Sequence, residues 1–285
     1  PIHKYLDFDE NIFLGWVNKD SSGNKGIVTV TRTIPDMDFI CECNNRLWGC
    51  KGDTIYASKL GDIFNWNVFD GLSTDSYAVD VGSTGDFTGC CTYQGHPTFF
   101  KEDYIHKVYG DRPSNFQVTS TATLGVRKNS GGSLAVADER LDYLSRAGVV
   151  SYSGGVPVII SYELGTDHLE NAVGGSDGEK YYVLLRDGSS YRYLYVYDTQ
   201  KRIWHKEDRQ NIVSFCWADE LYFQTSDGEI WTAGKVRSEP SPTVKEGSLR
   251  SFIEFNDFYE AGPNRSGTAK IQLRLERDAR AEVQV

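Results

Sequence analysis

The chain predicts an all-β protein, and within that class a β-propeller, from three observations. Apolar residues alternate or fall in short bursts and do not recur at helical spacing, which argues for strands. The 28 Gly supply turns, while 17 Tyr and 14 Phe suit half-buried pleated surfaces. The third observation is the most specific: one phrase recurs five times, a short apolar run, a Gly- or Asp-based turn, a second run ending in aromatics, then another turn. A hairpin that cannot bury both faces alone becomes stable when copies stack radially.

The first element is a hairpin within residues 1–36, where Leu14, Trp16 and Val17 face Ile27, Val28 and Val30 across a polar turn. It reads as an N-terminal arm, a β insertion or the strand that closes a ring. The first copy of the phrase runs from Asn45 to Gly49 and from Asp53 to Tyr56. Later copies pair Thr98–Phe100 with Tyr104–Gly110, Leu141–Leu144 with Gly148–Tyr152, Lys180–Leu185 with Tyr193–Asp198, and Glu220–Phe223 with Asp227–Trp231. From Tyr56 through Tyr109, Tyr152 and Tyr197 to Trp231 the steps cluster near the ~40 to 50 residues of a propeller blade. Residues 37–236 therefore hold five blades, or six if the first hairpin supplies one. Leu47, Phe99, Leu144, Leu184 and Phe223 sit in the first apolar run of successive copies and are expected on inner or middle strands.

Pro240 and Pro242 remove backbone donors and mark a linker. Residues 237–285 then read as that linker and the start of a second, sandwich-like β unit, with Phe252, Ile253 and Phe255 followed by an alternating run to Val285. Starting at Pro1 and ending within a strand pattern, the sequence reads as a piece of something longer.

A formal net charge of −10 excludes tight, sequence-specific binding to a phosphate backbone, which needs clustered Lys and Arg. Acidic walls would still suit a channel through which DNA slides without sticking. No run approaches the ~18 to 20 apolar residues of a membrane span, and no secretion signal opens the chain.

Cys41, Cys43, Cys50, Cys90, Cys91 and Cys216 lack zinc-site spacing, so no metal is expected. In Cys41-Glu42-Cys43, and in the run from Val213 to Trp217, the thiols fit inward-facing strand positions as small hydrophobes. Reduced, buried thiols suit assembly in a cytoplasm. His3, His96, His106, His168 and His205 form no metal-binding or hydrolase pattern, and no Gly-x-Ser-x-Gly elbow occurs. The glycine-rich run Gly174–Gly178 precedes a β run, so it reads as a hairpin turn and not as a phosphate cradle.

Residues 58–66 follow the first repeat and carry Ser58, Gly61, Asp62 and Trp66. They resemble an Asp-box turn with the Asp and Gly reversed, a structural device remote from chemistry. Two Lys-Glu-Asp triplets, Lys101-Glu102-Asp103 and Lys206-Glu207-Asp208, read as solvated turns. In an alternative reading, carboxylates from Asp62, Asp103, Glu207 or Asp208 converge in a funnel as the acid pair of a glycosidase. A glycan- or receptor-binding module would use the aromatics without paired acids. Inter-blade packing is the more general use of those aromatics.

Several phrases resemble the β-propeller structural proteins of tailed bacteriophages and prophages. They are Asn45–Gly49 with Ile55–Ser58, Gly61-Asp62 and Asn65-Trp66; Phe99–Glu102 with Tyr109–Pro113 and Thr123–Val126; Leu144–Val149 with Tyr152–Gly155; and Val196–Asp198 with Trp204-His205. The likeness spans roughly residues 39–236. It implies a non-enzymatic virion component of the tail-tube, nozzle, neck or portal-plug type at the DNA exit path, assembled in the host cytoplasm without cofactor. It also implies a homo-oligomeric ring and portal, adaptor or tail partners. Trp16, Trp66 and Arg112 are the expected interface residues, the two indoles for the area they would bury.

Overall fold

In the computed structural model the residues described are 14–19, 25–29, 34–164, 169–186, 192–209 and 211–233. They form antiparallel sheets joined by short loops, with helix confined to three 3-10 turns. Strands β1 (Leu14–Lys19) and β2 (Lys25–Thr29) pair only with each other, so the first hairpin does not supply a sixth blade. The expected second β unit lies outside the described residues.

Five consecutive meanders follow. Blade 1 comprises β3 (Phe39–Cys43), β4 (Arg46–Lys51), β5 (Thr54–Ala57) and β6 (Tyr77–Asp80). Blade 2 comprises β7 (Gly89–Tyr93), β8 (His96–Phe100), β9 (Tyr104–Tyr109) and β10 (Gln117–Ala122). Blade 3 comprises β11 (Ala135–Ala137), β12 (Arg140–Ser145), β13 (Gly148–Tyr152) and β14 (Val158–Ile159). Blade 4 comprises β15 (Val173–Ser176), β16 (Lys180–Arg186), β17 (Arg192–Asp198) and β18 (Ile203–Arg209). Blade 5 has three strands, β19 (Ile212–Ala218), β20 (Glu220–Thr225) and β21 (Ile230–Ala233).

The first turn of blades 1 to 3 is a two-residue hairpin closed by Cys43↔Arg46, Tyr93↔His96 and Ala137↔Arg140. Its central residues all have positive φ: Asn44 and Asn45 at 53° and 56°, Gln94 and Gly95 at 51° and 73°, Asp138 and Glu139 at 48° and 63°. This is the tight turn whose twist matches its strands, and Asn, Asp and Gly are the residues that tolerate it best.

The inner strands pack in sequence, β3 on β7, β11 on β15 and β15 on β19, with the turn Gly131–Ser133 bridging β7 to blades 3 and 4. The glycines Gly174 and Gly175, read from sequence as a turn, lie in inner strand β15. A Cβ on Gly174 would come within 2.8 Å of the Ser133 carbonyl oxygen, and one on Gly175 within 2.5 Å of Phe215 Cβ. Close approach of both neighbours demands them; the turn itself is made by Asp177 to Glu179, where Asp177 Oδ1 accepts from the Glu179 and Lys180 amides.

Each of the four core clusters is one blade interface. Trp48, Cys50 and Ile55 meet Phe99 and Val108 between blades 1 and 2. Phe100 and Tyr93 meet Tyr143 and Tyr152 between blades 2 and 3. Leu144 and Val149 meet Tyr181 and Val183 between 3 and 4, and Leu184 and Val196 meet Ile212 and Leu221 between 4 and 5. Aromatic rings cross two of these seams, Trp48 to Phe99 with centroids 6.5 Å apart and Phe100 to Tyr143 at 5.3 Å. Sheets stacked face to face through alternating side chains define a propeller, five-bladed among the described residues. The five residues expected on inner or middle strands all lie on second strands, β4, β8, β12, β16 and β20.

Candidate interaction surface

The longest connection inside a blade, residues 58–76 between β5 and β6, is built around a buried cation. Arg46 is 2% exposed, and Nη1 donates to the carbonyls of Ser58 (2.7 Å) and Asp75 (2.5 Å), while Nη2 donates to that of Ser73 (2.9 Å). The guanidinium also lies 5.7 Å from the Phe116 ring centre. Burial lowers the Arg46 pKa, and the charge of buried Asp75 opposes that effect. Asp75 turns its own carboxylate back, Oδ2 accepting from the Gly71 and Leu72 amides at 2.7 and 2.9 Å.

Other bonds close the loop on itself. The Lys59 amide donates to the Asn65 carbonyl, the Leu60 amide to that of Thr74, and Ser76 Oγ to Asn65. Ser58 Oγ accepts from the Leu47 amide. A loop with this many internal bonds is preorganised, so a partner does not have to order it. It holds Leu60, Ile63, Phe69 and Leu72 outward at 40%, 46%, 63% and 58% exposure. Large apolar groups displayed from a stiff loop can be buried by a partner at little ordering cost.

The sequence-expected interface residues fare differently. Trp66 is buried, its indole donating to the Ile63 carbonyl at 2.8 Å. It anchors the loop from within and offers nothing to a partner, which corrects the expectation; indole area was the right signal, but it is spent inside the chain. Arg112 is exposed and precedes the turn Pro113–Asn115. Trp16 lies in β1, and its side chain is outside the described residues. The four exposed side chains were missed because isolated apolar residues in a loop are indistinguishable in sequence from core residues.

The acids of the glycosidase reading do not converge. Asp62 sits in the β5–β6 loop, beside Gly61, whose amide donates to Asn45 in the first turn of blade 1. Asp103 occupies a second turn, between β8 and β9, at the other end of the strands, and pairs with Arg146 at 2.8 Å. Glu207 and Asp208 lie on outermost strand β18; Glu207 is exposed, and the Asp208 side chain is outside the described residues. That second triplet was expected in a turn. It is strand because β18 has a solvent face, and Lys206 Nζ lies 3.7 Å from the Tyr193 ring centre.

A second polar cluster, not foreseen from sequence, joins blades 1 and 2. Lys101 is 1% exposed, with Nζ 2.6 Å from Asp53 Oδ1, 2.8 Å from the Ser83 carbonyl and 5.0 Å from the Phe87 ring centre. Next to it, buried His106 has Ser83 Oγ 2.9 Å from Nε2 and Ser120 Oγ 2.7 Å from Nδ1. Burial, assisted by Lys101, lowers the imidazole pKa to about 4, so it is neutral at pH 7. The opposite case is Asp142 in blade 3, fully buried with neither oxygen hydrogen-bonded. Burial raises it to about 7 against the opposing pull of Ser151 and Arg140.

Of the thiols expected to face inward, Cys43 is buried, Cys41 is half-buried and Cys216 is exposed; Cys50 is buried as well. The bulge between Ile212 and Ser214 shifts the alternation of β19, so Phe215 and not Cys216 faces blade 4. Among the described residues, no helix is long and apolar enough to cross a membrane.

The class defined here is a β-propeller whose β5–β6 loop is internally bonded and displays apolar side chains. No protein-family model matches the chain, and no curated protein matches it. Solved structures that resemble it include the N-terminal domain of Nup159, at 8% identity and TM-score 0.33, covering 69% of this chain and 74% of that one. Another is PorZ, described as an essential bacterial surface component of the type-IX secretion system of Porphyromonas gingivalis, at 11% identity and TM-score 0.32. That match covers 70% of this chain, which spans about a third (33%) of PorZ. The fold rests on the strand order and inter-blade packing of this chain.

Proposed function

We propose that the protein is a non-catalytic assembly platform of a tailed-phage virion, in the tail or neck at the DNA exit path. The observation that carries the platform role is the β5–β6 loop, in which Arg46 and Asp75 rigidify a segment that presents Leu60, Ile63, Phe69 and Leu72 to solvent. Burying such side chains against a protein gains roughly 25 cal/mol per Å² of apolar area, and a preorganised loop loses little of it to ordering. Phage-like phrases over residues 39–236 support the virion setting, and the net charge of −10 is compatible with a surface facing DNA that must not adhere. The partners in this reading are copies of the chain in a ring and a portal, adaptor or tail protein.

The test is co-assembly of the full-length protein with portal and tail proteins, followed by sedimentation, for wild type and for a Leu60→Ser, Phe69→Ser, Leu72→Ser variant. The variant should keep the wild-type circular dichroism spectrum and lose assembly. Assembly at wild-type level in the variant would remove the loop from the interface. Glycan turnover abolished by Asp103→Asn or Glu207→Gln would replace the platform reading with the enzyme.

A further inference from the structure

Four of the six cysteines, Cys41, Cys43, Cys50 and Cys90, pack where blade 1 meets blade 2, and Cys41 and Cys90 enter that seam from its two inner strands. Inner strands β3 and β7 run in step: Thr92 Oγ donates to the Glu42 carbonyl, and Cys43 Sγ donates to the Gly95 carbonyl at 3.4 Å. Beside these bonds, Cys41 on β3 and Cys90 on β7 both turn into the seam, as does Cys50 on β4. Cys41 and Cys90 pack against the same cluster, that of Trp48 and Phe99, while Cys91 turns to the blade 2–blade 3 cluster. Cys41 and Cys90 are half-buried, within reach of a small oxidant; Cys43 and Cys50 are buried.

We propose that Cys41 and Cys90 are a redox pair that closes to a disulfide, stapling the inner strand of blade 1 to that of blade 2. The oxidant is a small-molecule disulfide of the glutathione class. One thiol, as thiolate, attacks a sulfur of the oxidant, forming a mixed disulfide and expelling one thiolate. The second thiol, deprotonated in turn, attacks the protein sulfur and expels the other. One protein S–S bond forms, one oxidant S–S bond breaks, and the two protons end on two small thiols. The Cys90 thiol and burial raise the pKa of Cys41; at Cys90 a lowering by the Cys41 thiol is outweighed by the Cys50 thiol and burial, so the reduced pair resists alkylation at neutral pH and closes faster as pH rises. The proposal rests on the strand contacts and not on the virion assignment. In a cytoplasm the pair stays reduced; in an oxidising medium it locks the blade that carries the docking loop.

The test uses the full 285-residue chain in a Cys216→Ser background, which removes the exposed thiol. Protein incubated with oxidised glutathione is alkylated, digested with trypsin without reduction and analysed by mass spectrometry. A crosslink should join the peptide carrying Cys41 to the peptide carrying Cys90. It should persist in Cys43→Ser, Cys91→Ser and Cys50→Ser and vanish in Cys41→Ser and in Cys90→Ser, with each variant's fold checked by circular dichroism. Oxidation should also raise the urea midpoint, reversibly with dithiothreitol. No crosslink in folded, oxidised protein would overturn the pair, as would a crosslink that survives Cys41→Ser and is lost in Cys50→Ser.

Discussion

Arg46 and Asp75 lock one loop from opposite ends: the guanidinium donates to the Asp75 carbonyl, while the Asp75 carboxylate collects the Gly71 and Leu72 amides. One buried residue on β4 thus fixes the shape of a loop leaving β5.

Arg46→Met should therefore destabilise the protein by about 3 kcal/mol, because three carbonyls lose their donor and two of those contacts are fully buried. Arg46→Lys should recover little, since a single ammonium does not reproduce the planar fork. Urea denaturation measures both. By contrast, Phe69→Ser should change stability by less than about 0.5 kcal/mol, as an exposed side chain with no packing role.

The Asp53–Lys101 pair makes an asymmetric prediction. Lys101 is buried and Asp53 is 63% exposed. Asp53→Ala leaves a buried ammonium with one carbonyl and an aromatic face, and should cost more than Lys101→Met, which removes the charge and keeps the stem. Chemical denaturation of both variants at pH 7 decides; a larger loss in Lys101→Met would show that packing by the stem outweighs the charge.

His106 and Asp142 predict opposed pH dependences. In the folded state His106 stays neutral down to about 4, whereas its unfolded value is 6.5, so its contribution to stability is lost as pH falls through that window. Asp142 keeps its proton up to about 7, against 3.8 unfolded, so its contribution is lost as pH rises. Between about pH 4 and 6.5 the two slopes, each about 1.4 kcal/mol per pH unit, cancel. Asp142→Asn should make stability rise with pH in that range, and His106→Gln should make it fall. Urea midpoints across the range test this, and parallel profiles in the two variants would refute it.

Much of the fold was legible because a blade is a local object. Its strands are consecutive, its first turns carry Asn, Asp and Gly where positive φ is required, and its second strands hold the apolar runs around Leu144 and Leu184. The exposed apolar surface of the β5–β6 loop was not legible. Trp66 looked like an interface residue and is an internal anchor, while Leu60, Ile63, Phe69 and Leu72 looked unremarkable and are displayed.

By itself, the sequence determined the class and the repeat, and narrowed the blade count to five or six, since alternation, turn chemistry and periodicity act over a few residues to a few tens. Only the tertiary structure decided which side of a strand meets a neighbouring blade. A bulge in β19 turned Cys216 outward, packing of β3 on β7 placed Cys41 and Cys90 in one seam, and a guanidinium on β4 captured carbonyls up to 29 residues away. Burial and charge pairing are set by residues distant along the chain, which no local pattern encodes.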